Sequence, residues 1–167
     1  VFSFLKNIAF PKGSVKLMGI GKNEKNAVLH KALHEISDSF QTKGVFSTWS
    51  VINTDKYAEG VNFGIQALKG AFFKPNILFL NIENHIKYHD EYRSIINQAI
   101  ISKLGLILYT PHHKTRFGQR NVINVWVRGR GPDWKIEWDI GNLDLSILIA
   151  YKLKRNWQAR IRLVMVI

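Results

Sequence analysis

The amino-acid sequence predicts an α/β fold, a mostly parallel sheet with helices on both faces. Two observations carry this prediction. Apolar residues switch repeatedly between the short unbroken runs of covered strands and the 3.6-residue spacing of amphipathic helices. These segments alternate along the chain, an order that builds parallel sheets through helical crossovers.

Taken in order, residues 14–20 are apolar-rich after Pro11 and Gly13 and predict a first strand. Val28, Leu29, Ala32, Leu33, Ile36 and Phe40 then recur at helical spacing, and Gly44 supplies the residue expected just past a helix end. Residues 45–52 are β-branched and aromatic and predict a second strand. Asn53-Thr54-Asp55 predicts a helix cap, with Tyr57, Val61, Gly64, Ile65, Leu68 and Phe72 as the next apolar stripe. Pro75 bars continuation, and 76–82 reads as a strand covered on both faces. A helix follows over 89–103, then a strand at 106–109 that Pro111 ends. Beyond a basic polar loop, 122–127 predicts another strand, and Arg128-Gly129-Arg130-Gly131-Pro132-Asp133 a turn-rich break. Trp134, Ile136 and Trp138 alternate with charged residues as in a short strand. A helix over 142–154 and a strand over 159–167 complete the series.

At 167 residues the chain fits one domain, with residues 14–167 as its body and 1–13 as a lead-in or linker. Ten Phe, five Trp and five Tyr are ample for a core. No apolar run approaches the roughly 20 residues that a membrane helix needs. Cysteine is absent, which removes disulfides and thiolate metal sites and suits a reducing compartment. The chain opens on Val1 without a signal sequence and closes on Val164-Met165-Val166-Ile167, so both ends read as cuts from a longer protein. A net charge of +12 calls for an anionic counterpart: nucleic acid, an anionic membrane surface or an acidic segment of a parent chain. The basic residues are scattered and carry no nucleic-acid recognition motif, so no nucleic-acid partner is expected.

The search for chemistry starts at the loop after the first strand, where open α/β sheets place ligands. Met18-Gly19-Ile20-Gly21-Lys22-Asn23 has two glycines and a lysine before a helix, enough to meet a phosphate. It lacks the third glycine of a dinucleotide fingerprint and the Gly-Lys-Ser/Thr of a P-loop, and the glycines are explained by the turn alone. His30 and His34 share a helix face, as do His85 and His89, but neither pair has the zincin glutamate or an evident third ligand. His112-His113 reads as an exposed loop tip. Asp133, Glu137 and Asp139 flank Trp134 and Trp138, whose spacing is that of core cover more than of a ligand platform. No Gly-x-Ser-x-Gly elbow is present. No catalytic, cofactor-binding or metal-ligating residue is assigned, and no cofactor is expected; the chemistry is that of binding.

Several stretches resemble the carboxy-terminal cytosolic region of the cation–chloride cotransporters, the family of sodium–potassium–chloride and potassium–chloride carriers. They are Asp55-Lys56-Tyr57-Ala58-Glu59-Gly60, Ala67-Leu68-Lys69-Gly70 and Lys74-Pro75-Asn76-Ile77-Leu78-Phe79-Leu80. Further on come Asn124-Val125-Trp126-Val127, then Gly141-Asn142-Leu143-Asp144-Leu145-Ser146-Ile147-Leu148-Ile149-Ala150-Tyr151, and finally Asn156-Trp157-Gln158-Ala159-Arg160-Ile161-Arg162-Leu163. The likeness runs in order from residue 16 to 167. Departures are the stretch 128–139, where many animal members have a short acidic turn, Ala150 in place of Pro, and the lack of a long hydrophilic insertion; these fit a compact, prokaryotic member. The resemblance implies a universal-stress-protein-like fold placed after the last membrane helix, on the cytoplasmic side of the cell membrane. It also implies a non-enzymatic domain for regulation and assembly. Its expected partners are the transmembrane domain of the same protein, a second copy in a homodimer and the anionic membrane surface. The alternative is a nucleotide-binding module of the universal-stress type, which would need a glycine-rich phosphate loop late in the chain.

Overall fold

A computed structural model describes residues 1–22, 26–82, 89–110, 112, 114, 117, 120–128 and 143–166. They form two compact units, Val1–Thr110 and Pro111–Ile167.

The first unit holds helix α1 (Phe2–Ala9), strand β1 (Ser14–Gly21), helix α2 (Asn26–Thr42), strand β2 (Phe46–Asn53) and helix α3 (Tyr57–Ala67), which runs into a 3₁₀ turn (Leu68–Gly70). Strand β3 (Ile77–Asn81), helix α4 (His89–Ile101) and strand β4 (Gly105–Tyr109) complete it. The second unit holds β5 (Val122–Arg128), α5 (Leu143–Trp157) and β6 (Arg160–Val166). The α/β class is borne out, and among the described residues all the pairing is parallel: β1 with β2, β3 with β4 and β5 with β6. Each pair is joined through its own helix, so the architecture is a βαβ unit written three times. Trp134–Trp138 and the histidines at 85 and 113 lie outside the described residues.

Strand β1 shows why the glycines sit where they do. One of its faces carries Val15 and Leu17, packed with Phe40 and Val45 and, from α1, with Phe2, Leu5 and Ala9. On that side Gly19 lies directly beneath Leu29 and Leu33 of α2, and a Cβ there would come within 2.8 Å of both side chains. The other face carries Met18 and Ile20, which lie against Gly64 and Gly60 of α3. Two glycines four apart let the helix backbone approach the strand, as packed helices do where small residues line the seam. Ile20 continues into the second cluster, Val61, Ile65, Leu80 and Ile95. Helices therefore cover both faces of β1.

Three of the helix exits share one device. Gly44 has φ 75°, its N–H donates to the Gln41 carbonyl, and Val45 N–H donates to Phe40. This is a Schellman stop, with the hydrophobic pair Phe40–Val45 buried beside it. α4 ends the same way at Lys103 (φ 55°), with Lys103 N–H on Ile100 and Leu104 N–H on Ala99. α5 ends at Gln158 (φ 54°), with Ala159 N–H on Lys154.

Four expectations change. Residues 2–9, given no secondary structure from sequence, form α1, held by Phe2 against Phe40 (ring centroids 4.4 Å) and by Phe4 against Tyr109 (5.6 Å). The buried face of α2 runs through Leu33, Ser37 and Phe40, leaving Val28 three-quarters exposed and Ile36 outside the core. α3 stops at Ala67, so Phe72 is no part of its stripe and is 94% exposed. Its cap position is Lys56, without a side-chain cap bond; Thr54 Oγ1 accepts from the Lys56 N–H instead, and Asp55 is engaged elsewhere.

Candidate functional site

The carboxyl edge of the β1–β2 pair is where the sequence pointed first. The ladder ends at Gly21 opposite Asn53, and Thr54 N–H donates to the Gly21 carbonyl at 3.2 Å. Lys22 Nζ meets Asp55 Oδ2 at 3.1 Å, and Lys56 Nζ meets Glu59 Oε1 at 2.7 Å. The Lys22 hydrogen bond, helped by a backbone bond and the charge, holds the Asp55 carboxyl below the ordinary aspartate range. Glu59 likewise raises the Lys56 ammonium. Lys22 of this loop is thus balanced by Asp55 from the next loop, which works against its binding a phosphate.

His30 and His34 do share a face of α2, but the face rests on Trp49 of β2. Their rings lie 5.2 and 6.2 Å from its centroid, and His34 Nδ1 meets Asp38 Oδ2 at 2.9 Å. Among the described residues no group of three His, Cys, Asp or Glu is disposed to hold a metal. His112 is exposed. His89 begins α4, but its side chain, like His85, Asp133, Glu137 and Asp139, lies outside what is described.

Between α3 and α4 the structure brings together a group that sequence reasoning missed. Tyr57 meets Tyr92 edge-on at 6.4 Å, and Asn62 Nδ2 donates to Ser94 Oγ at 3.3 Å. Burial, with lesser help from Tyr92 and Glu91, raises the Tyr57 hydroxyl above the ordinary tyrosine value. Its only signal in the sequence is one tyrosine at the start of each of two helices.

The sequence profile of the first C-terminal domain of prokaryotic cation-chloride cotransporters matches residues 1–117, and that of the second matches 118–167. The chain belongs to that family. No curated protein sequence matches it. Among solved structures it is similar to the crystal structure of the cytoplasmic domain of a prokaryotic cation chloride cotransporter, with 41% identity and a TM-score of 0.85. The match covers 98% of this chain and 59% of that one, so the chain spans about three-fifths of the solved domain.

In this cotransporter domain the stretches that carry the resemblance are mostly packing residues. Gly60 admits Ile20, Asn76 accepts the Gly105 N–H at 2.8 Å, and Leu80 is core. Val125, Val127 and Ala150 form the core of the second unit. Trp157 packs on Phe117 at 5.5 Å, with the Arg120 guanidinium over its ring at 5.6 Å. Among the described residues no helix is long and apolar enough to cross a membrane.

The opposite edge of the first unit of the cotransporter domain, where its strands begin, has a different character. Phe10 lies beside Gly44, Phe46 beside Phe73 at 5.6 Å, Phe73 beside Phe72 at 4.9 Å, and Asn76 is bonded to Gly105. Those contacts link all four loops that lead into strands. Phe46, Phe72, Phe73, Ile100 and Ile101 are exposed there, together with Lys12, Lys43, Lys69, Lys74 and Lys103.

Proposed function

We propose that this chain is a non-catalytic cytoplasmic domain that regulates and assembles a secondary-active cation–chloride cotransporter. It works from the inner side of the cell membrane, against the transmembrane part of the same protein, a second copy of itself and the anionic membrane surface. The observation that carries the proposal is the pair of family profiles lying end to end across the chain. The solved relative is itself a cytoplasmic domain. The net charge of +12 favours an anionic surface, and the Lys22–Asp55 pair speaks against the nucleotide-binding alternative.

Sedimentation velocity over a wide concentration series tests the assembly part. The sedimentation coefficient is expected to rise toward a dimer value with concentration, and a strictly monomeric result at the highest concentration removes self-assembly from the proposal. For the regulatory part, chloride flux through the full-length cotransporter in vesicles should change when this domain is deleted while the transmembrane part still inserts. Unchanged flux would leave assembly alone.

A further inference from the structure

The strand-start edge of the first unit combines exposed aromatic rings with positive charge, and the segments that build it carry no acidic residue. No Asp or Glu occurs in residues 1–23, 39–54, 60–82 or 92–110, the segments from which the four loops are drawn. Every one of those loops contributes a lysine: Lys12 before β1, Lys43 before β2, Lys69 and Lys74 before β3, and Lys103 before β4. None of the five forms an ion pair with a described residue, whereas Lys22 and Lys56 at the opposite edge are both paired. The apolar part is equally unusual. Phe72 is 94% exposed and Phe73 54%, yet their rings are set against each other and Phe73 lies against Phe46. Ile100 and Ile101 add aliphatic surface at the end of α4. Burying these rings against the protein's own core would be more favourable than leaving them in water.

Aromatic rings ringed by lysines suit an interface that is apolar at depth and anionic at the surface, the cross-section of a lipid leaflet rich in acidic headgroups. A second copy of the same edge would bring five lysines against five lysines, so charge favours lipid over self-association. We propose that this edge docks on an anionic lipid surface, with Phe72 and Phe73 entering the headgroup region and Lys43, Lys69, Lys74 and Lys103 facing lipid phosphates. The proposal rests on the reading of the chain as a domain held beside the membrane, and it adds which surface faces the lipid.

Co-sedimentation of the chain with vesicles tests it, using phosphatidylcholine alone and phosphatidylcholine with about a third phosphatidylglycerol. Binding is expected only to the anionic vesicles and is expected to weaken with added salt. The triple substitution K43E/K69E/K74E should abolish it, since each lysine removed near the surface costs roughly fivefold. F72D/F73D should reduce it at least tenfold, with the circular dichroism spectrum unchanged because neither ring belongs to a core cluster and Phe73 meets only the exposed rings of Phe46 and Phe72 among the aromatic residues described. If the parent chain binds anionic vesicles and both variants bind equally well, the edge is not the contact, while the membrane-side reading stands. If the parent chain binds no vesicles, both fall. If F72D/F73D shifts the monomer–dimer equilibrium and leaves vesicle binding intact, the edge is an interface between copies and the lipid proposal is overturned.

Discussion

Single residues set the helix ends, and the three Schellman stops make a matched experiment. All three C′ residues have positive φ, where a Cβ costs about 1 kcal/mol or more and glycine costs none. Gly44→Ala should therefore lose about 1 kcal/mol in denaturant unfolding, since the Phe10 ring at 3.4 Å leaves room for the methyl and only the backbone resists. Lys103→Gly and Gln158→Gly should gain about the same. The Asp55 carboxyl offers a second residue-level test. Its folded value is depressed, so its bond to Lys22 is present above the ordinary aspartate range and is lost as pH falls through the depressed value. Carboxyl NMR should place the Asp55 midpoint below that of an unpaired aspartate, and Lys22→Ala should move it upward. An unchanged midpoint would mean that the lysine is not its partner in solution.

At the scale of elements, the seam between α3 and β1 depends on absent side chains. A Cβ at Gly64 overlaps the Met18 thioether. Gly64→Ala should cost about 1–3 kcal/mol by overpacking. Shortening the opposing side chain in the double variant Met18→Ala/Gly64→Ala should recover part of that loss, a coupling readable from a double-mutant cycle. If the two losses simply add, the helix stands further from the strand than described.

The elements themselves were legible to within a few residues, because β3 and β4 hold unbroken apolar runs, the other strands are rich in apolar residues, and α2 and α4 carry apolar residues at helical spacing. What was not legible had a physical cause in each case. α1 is eight residues with neither an acidic first turn nor a side-chain cap, and it owes its place to aromatic contacts with Phe40, Phe79 and Tyr109. The stripe of α3 extrapolates through Phe72 by period alone, whereas the helix tightens into a 3₁₀ turn at Leu68–Gly70 and releases the chain. Ser37 takes a core position of α2 that hydrophobicity assigns to Ile36, a quarter-turn away.

At the scale of the whole molecule, charge is sorted by edge in a way that composition alone conceals. The carboxyl edge of β1–β2 pairs Lys22 and Lys56 with carboxylates, and the strand-start edge leaves its lysines beside exposed rings. In the sequence those lysines read as scattered, because the loops that gather them are separated by whole helices and strands. The His30–His34 face was legible as a face, but not its neighbour, Trp49, which comes from the next strand. Topology supplied what spacing could not.

Lys103 belongs to both stories, as a left-handed stop and as a member of the lysine edge. Glycine would serve the helix better there, so the lysine is a concession of stability to surface charge. The two properties can be traded against each other at this one position. Lys103→Gly should melt higher and hold anionic vesicles less well, whereas Gln158→Gly, with no stake in that edge, should melt higher alone.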